Sequence, residues 1–243
     1  MSVAESAPPV QARGSWPQPI RLRRGWAKGE ARQWNNATPD ATFRLVRGSS
    51  TFLDACTDYL LGIGAPSVLS PPLPRSSFGT WESVGYRKFI SLSLMRMELS
   101  RSLSAPDRPI TSGDVGLDTL LSIDQAAFDD FWQFDRFGLR EAINATSTNM
   151  TLTIAGPVGD PIAYAVVGLG HAISYLQRLA VHPDWQGAGM GRSLVRAAQR
   201  TALDAGTRAM VLNTQEDNEA AIALYRSEGF VVQPDGLAVL RRK

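Results

Sequence analysis

The chain has 243 residues, 44% apolar and 20% charged, with a net charge of +2, a globular composition that excludes global disorder. A single cysteine, Cys56, and two histidines exclude an internal disulfide and a Cys/His metal constellation, so no metal cofactor is expected. No apolar run approaches the ~20 residues of a membrane-spanning helix, and the start of the chain lacks the apolar core of a secretory signal, so the expectation is a cytoplasmic protein without membrane contact.

Residues 1–40 carry proline, glycine, arginine and three isolated tryptophans (Trp16, Trp26, Trp34) without a period, and read as a basic, partly disordered leader. Residues 11–50 hold eight Arg or Lys against two acids, which fits a solvated arm or one that touches nucleic acid or a ribosome. From there the pattern predicts a strand over Thr42–Arg47, a helix over Ser50–Gly62, a short strand at Val68 and Leu69, a short helix over Ser76–Val84 and a strand over Phe89–Leu99. The apolar positions of that last strand slip by one place after Leu94, which predicts a bulge. A polar joint over Ser100–Gly113 sets the expected domain boundary, with residues 41–104 before it and 105–243 after it.

Beyond the joint, helices are predicted over Leu117–Phe128 and Phe131–Ala145. Strands follow over Met150–Ile154, Ile162–Leu169 and Ala172–Val181, and an amphipathic helix over Gly191–Ala205. A strand over Ala209–Leu212, a helix over Asn218–Glu228 and strands from Phe230 onward close the chain. The most informative stretch is Gln186-Gly187-Ala188-Gly189-Met190-Gly191-Arg192, where a strand has just ended and a helix starts. Glycines let backbone N–H groups turn inward, and a helix N-terminus adds about half a positive charge, so the stretch reads as an anion cradle. The spacing fits neither a G-x-G-x-x-G dinucleotide fingerprint nor an NTPase loop ending in G-K-[ST].

It does fit Q-x-x-G-x-G, and Asn218-x-x-Ala221-x-x-Leu224-Tyr225-x-x-x-Gly229-Phe230 follows 32 residues after Gln186. Over residues 111–243 these two blocks resemble the GCN5-related N-acetyltransferase (GNAT) family. The resemblance implies an α/β acyl-CoA N-acyltransferase fold, a central mixed sheet flanked by helices, with acetyl-CoA as cosubstrate. It further implies that Gln186, Gly187, Ala188, Gly189, Met190, Gly191 and Arg192 bind the coenzyme pyrophosphate. The strand ending at Val181 would splay from its neighbour, leaving backbone groups of Leu179 and Val181 for the pantetheine arm.

Asn218 and Tyr225 lie seven residues apart on one helix and point the same way. Asn218 suits both a helix N-cap and a coenzyme contact. Tyr225 carries an acidic hydroxyl able to protonate a leaving thiolate, the role this family commonly gives its matching tyrosine. Acetylases of ribosomal-protein N-termini carry a glutamate where this chain has Asn213, so the base is open among Glu216, Asp129, Asp130 and a water chain. Arg196 and Arg200 read as a solvated stripe.

Residues 41–99 repeat the order of the C-terminal half of the later domain: Trp81-Glu-Ser-Val-Gly85-Tyr86 parallels Tyr225-Arg-Ser-Glu-Gly229-Phe230. They look like a degenerate partial GNAT-like half that packs on the catalytic domain and lends it a strand. The combined expectation is an acetyl-CoA-dependent N-acetyltransferase acting on an amine, either a small molecule or a protein N-terminus. The rival expectations are a non-catalytic acyl-CoA-binding regulator and an acetyltransferase held on a ribosome or tRNA by the basic arm.

Overall fold

Ile20 and Leu22 alternate with Arg21 and Arg23, and this alternation builds a sheet where the sequence reading had a leader. The computed structural model describes residues 9–243; the first eight residues of that leader lie outside the described residues. Strands β1 (Gln11–Arg13), β2 (Ile20–Arg24), β3 (Ala27–Gln33) and β4 (Ala41–Arg47) form an antiparallel meander. One face buries Ile20, Leu22, Ala27, Ala31 and Phe43. The inward residues of β3 are alanine and glycine, which give little hydrophobic contrast along the chain. Gly29 is required there, because a Cβ would lie 2.3 Å from Cζ of the buried Phe43.

Helix α1 (Ser50–Gly62) follows, its N-cap Ser49 accepting from the Phe52 N–H, and β5 (Val68–Leu69) runs parallel to β4. After β6 (Leu73–Pro74) and a single 3-10 turn come α2 (Phe78–Glu82) and the long strand β7 (Arg87–Glu98). The Tyr86 N–H donates to the Trp81 carbonyl at 3.2 Å across Gly85, whose φ is +90°. The Trp81 and Tyr86 rings meet edge to face at 4.8 Å.

The chain divides into two compact units, the residues up to Ser91 with Gly236–Lys243, and Leu92–Asp235. The second contains β8 (Thr111–Ser112), α3 (Leu117–Ala127), α4 (Arg136–Ile143), β9 (Thr148–Ala155), β10 (Pro161–Leu169) and β11 (Ile173–Val181). Then come α5 (Met190–Asp204), β12 (Ala209–Gln215), α6 (Glu219–Ser227) and β13 (Val231–Val232). Its sheet runs β13-β7-β12-β11-β10-β9-β8, parallel only between β11 and β12. Alternation along β10 sends Ala163, Ala165 and Val167 to the α5 and α6 side, and Tyr164 and Val166 to the α3 and α4 side. The last strand, β14 (Leu237–Arg242), returns to the first unit, pairing antiparallel with β5 and burying Ala238 and Leu240 in that core. No described helix is long and apolar enough to cross a membrane.

Three expectations are corrected. The units change over at Ser91 and Leu92 and again at Gly236, instead of at residue 104, because the second half of β7 belongs to the second unit and the first unit takes its last strand from the end of the chain. No bulge interrupts β7 against β12: Leu92–Glu98 pairs in unbroken register with Gln215–Ala209. The second aromatic-rich helix spans only Arg136–Ile143, its N-cap Asp135 accepting from the Gly138 N–H, because Phe131–Phe134 is used as a loop. The internal repeat is also larger than residues 41–99. Meander β2-β3-β4, helix α1, parallel strand β5 and helix α2 follow the same order as β9-β10-β11, α5, β12 and α6.

Candidate active site

Strands β11 and β12 pair only at Ile173–Tyr175 with Ala209–Val211, and past Tyr175 they separate. The extra residue is Gln177, where the β10 register shifts between Val166 and Val167; a bulge of this kind bends its strand and increases twist. The His182 N–H donates to the Ile162 carbonyl on the β10 side at 2.9 Å. Strand alternation therefore turns the backbone groups of Leu179 and Val181 toward the open edge. The Val181 carbonyl is already used by the Gln186 side-chain amide at 3.1 Å, which ties the glycine loop to the strand end.

Gly187 and Gly189 have φ of +74° and +82°, the left-handed region that other residues avoid. The α5 N-cap is Gly189, with no side chain capping it. The six consecutive N–H groups from Gly187 to Arg192 have no acceptor among the described residues, the first helical pairing at this end being Ser193 N–H to the Gly189 carbonyl. Met190 is buried in the core, and Gly191 lies close to α6, a Cβ there standing 3.2 Å from Leu224 Cδ2. The Ala188 carbonyl accepts from Arg108 at 3.2 Å. This cradle of donors and the open strand edge fit a coenzyme pyrophosphate and its pantetheine arm.

Arg192 departs from its expectation: its Nε pairs with Glu228 at 3.1 Å. Glu228, 7% exposed, also takes Arg196 Nε at 2.9 Å, and Arg196 reaches Asp107 at 2.8 Å. Arg196 is thus a bracing residue between α5 and α6 and not part of a solvated stripe. Asn218 caps α6, its Oδ1 accepting from the Ala221 N–H at 3.1 Å.

Tyr225, on the same helix, is 8% exposed and meets Phe230 edge to face at 5.9 Å. The Phe230 N–H donates to the Tyr225 carbonyl at 3.0 Å across Gly229, φ +92°, repeating the Trp81–Gly85–Tyr86 turn bond for bond. The Tyr225 hydroxyl has no hydrogen bond among the described residues, yet no buried side-chain oxygen is left unsatisfied there, so this hydroxyl keeps some solvent exposure. Burial pushes its pKa up to about 12, with the Arg178 guanidinium pulling the other way.

That arginine belongs to a cluster that sequence reasoning missed. Asp124 of α3, fully buried, accepts Arg178 Nε and Nη2 at 2.7 Å each, the Tyr164 hydroxyl at 2.6 Å and the Phe134 N–H at 2.7 Å. The guanidinium also donates to the Trp132 carbonyl and lies 3.6 Å and 3.8 Å from the ring centres of Phe128 and Phe134. Its Nη1 has no partner among the described residues and, not being a buried unsatisfied atom, stays open. An acid on the apolar Leu120–Asp124–Ala127 face of α3 and an arginine inside an apolar strand were the available signals.

The base candidates are not gathered at one point. Asp129 accepts the N–H groups of Phe131 and Trp132 and holds the loop, Asp130 accepts from Gln133, and Glu216 is exposed.

Residues 117–230 match the model of the acetyltransferase (GNAT) family. A mycothiol acetyltransferase of Nocardiopsis dassonvillei is 41% identical over 63 residues, covering 26% of this chain and 19% of the relative. An aminoglycoside N(6')-acetyltransferase type 1 of Stenotrophomonas maltophilia is 32% identical over 81 residues, covering 30% and 53%. The chain thus spans between about a fifth and half of the length of these curated relatives. Among solved structures, a tandem GNAT protein from the clavulanic acid biosynthesis pathway shares the fold with a TM-score of 0.66 at 12% identity, over 92% of this chain and 82% of that one. The matched segment, the glycine cradle and the splayed strands lie in one unit, so residues 117–230 are similar to the GCN5-related N-acetyltransferase family in sequence and in fold.

Proposed function

We propose that the chain is an N-acetyltransferase that moves the acetyl group of acetyl-CoA directly to an amine in a ternary complex, with Tyr225 as general acid. The observation that carries this reading is the run of unpaired N–H groups from Gly187 to Arg192 beside the open edge of β11. Acetyl-CoA supplies an activated thioester with a thiolate as leaving group. The chain supplies donors at Gly187–Arg192 for the pyrophosphate and backbone groups of Leu179 and Val181 for the pantetheine arm. The Gln186 side chain holds the loop in place. Asn218 orders the start of α6 and so aims Tyr225.

A phenol at about 12 remains a neutral hydrogen-bond donor throughout the working pH range. Handing its proton to a free thiolate near pKa 8.5 is uphill by roughly 5 kcal/mol, so the proton moves as the C–S bond breaks. The same dry surroundings raise the thiol's own pKa and narrow that gap. The relative named for an aminoglycoside nitrogen supports a small-molecule amine as acceptor. The first unit is a degenerate repeat that does not take the coenzyme. There Gly48 stands alone, a Cβ on it would lie 2.7 Å from the Phe52 ring, Ser49 caps the helix itself, and Trp81 replaces the tyrosine.

Thiol release from acetyl-CoA across small amines, polyamines and N-terminal peptides tests the reading. Tyr225→Phe is expected to lower kcat by about 100-fold or more with coenzyme Kd unchanged. An unchanged rate removes the acid role. Tight coenzyme binding with no thiol release for any amine makes the protein an acyl-CoA-binding regulator instead.

A further inference from the structure

The register of β1–β4 sorts the basic residues of the N-terminal segment onto one side of a sheet. Arg13, Arg21, Glu30 and Arg44 stand directly opposite one another across the four strands, and Arg23, Lys28 and Arg47 form the next row. The alternate rows, Leu22 with Gly29 between these two and Ile20, Ala31 and Phe43 beyond the first, face the core. These two rows therefore carry six cations and one carboxylate. That surplus of five exceeds the net charge of +2 for the whole chain, so the remaining residues are net negative and the charge is segregated.

Glu30 neutralises only part of the face. Lys28 reaches it at 2.8 Å and Arg44 at 2.5 Å, and the two cations hold its carboxyl down to about 2. Arg47 donates to the Trp26 carbonyl. Arg13, Arg21 and Arg23 are exposed and have no carboxylate partner among the described residues. Arg13 opposite Arg21 and Arg23 opposite Lys28 are like-charge cross-strand pairs, which destabilise an isolated sheet and are relieved by a polyanion.

We infer that this face is a docking surface for single-stranded RNA, held through its phosphates. Forked guanidinium donors match phosphate oxygens, and their rows, ~6.8 Å apart along a strand and ~4.8 Å across strands, follow a flexible backbone better than a point contact does. The two-residue β2–β3 turn, Gly25 at φ +58° and then Trp26, leaves that indole 68% exposed, a ring on which an unpaired base can stack. An anionic membrane is the poorer partner. The outward positions of β1–β3 carry no apolar side chain to enter a bilayer, unlike an interfacial amphipathic element.

The test is fluorescence anisotropy of the full chain with a labelled oligouridine of about 20 nucleotides, titrated with salt. Binding is expected at low salt with a log–log salt slope of about −2 to −4, the value for three to six phosphate contacts on a single strand. Arg13→Gln, Arg21→Gln and Arg23→Gln combined should flatten that slope by about 2 while leaving the melting temperature equal or higher. Trp26→Ala should weaken binding about tenfold, and Arg200→Gln should change nothing. The inference is overturned by no binding at low salt, by a slope the triple variant leaves unchanged, or by binding to phosphatidylserine vesicles but not to RNA. None of these readouts depends on acetyl transfer.

Discussion

Replacing Asp124 by asparagine keeps the shape of the side chain and removes its charge. Each carboxylate oxygen accepts from two donors, Oδ1 from Arg178 Nη2 and the Phe134 N–H, Oδ2 from Arg178 Nε and the Tyr164 hydroxyl. An amide must turn its NH2 toward one of these pairs, so donors face donors while the 10%-exposed Arg178 loses its counter-ion. Breaking a buried pair from one side costs about 3–5 kcal/mol. At about 2–4 °C per kcal/mol for a chain of this size, the melting temperature should fall by roughly 6–20 °C, followed by circular dichroism at neutral pH. The double change Asp124→Leu with Arg178→Met should recover most of the loss, because apolar replacement of both partners is often neutral. A fall under about 2 °C, or a double variant as unstable as the sum of its parts, refutes the view that this cluster is the polar anchor of the second unit.

Gly189→Ala should weaken coenzyme binding by about tenfold in calorimetry, because an alanine at φ +82° is strained by ~1–2 kcal/mol and its relaxation turns the cradle N–H groups away. The raised phenol of Tyr225 sets a sign for pH. Its contribution to stability is complete below the unfolded value near 10 and is lost as pH rises toward about 12. A pH–rate profile should accordingly show no alkaline loss from tyrosine ionisation at its ordinary value, and an inflection near 10 present in the wild type and absent in Tyr225→Phe would contradict this. Removing Gly236–Lys243 should raise hydrogen exchange across β4, β5 and α1, since Ala238 and Leu240 leave that core, while β9–β11 stays protected; protection unchanged in the first unit is the contrary result.

Much of the secondary structure was legible along the chain because its signals are local. The Ser49 cap, the apolar stripe of α5 and the turn at Gly229 each lie within one or two helical turns, where spacing alone sets which side chains share a face. The glycine loop was legible for the same reason, since its need for positive φ and free N–H groups is written in consecutive residues. The sheet of residues 11–33 was not, because the inward positions of β3 are alanine and glycine, and Gly29 makes sense only under the ring of Phe43, fourteen positions further on. The aromatic loop was misread as helix because Phe128 and Phe134 look like core residues until Arg178 is found between them.

The length of 243 residues, too great for one average domain, is explained by two topologically similar units. By itself the sequence pointed to the family resemblance of residues 117–230, the glycine loop and the helix that carries Tyr225. Only the tertiary structure decided that the first unit is completed by a strand from the end of the chain, that Arg192 is tied to Glu228, and that the N-terminal arginines share one face. Strand pairing and charge pairing join residues tens to hundreds of positions apart, and no local periodicity records them.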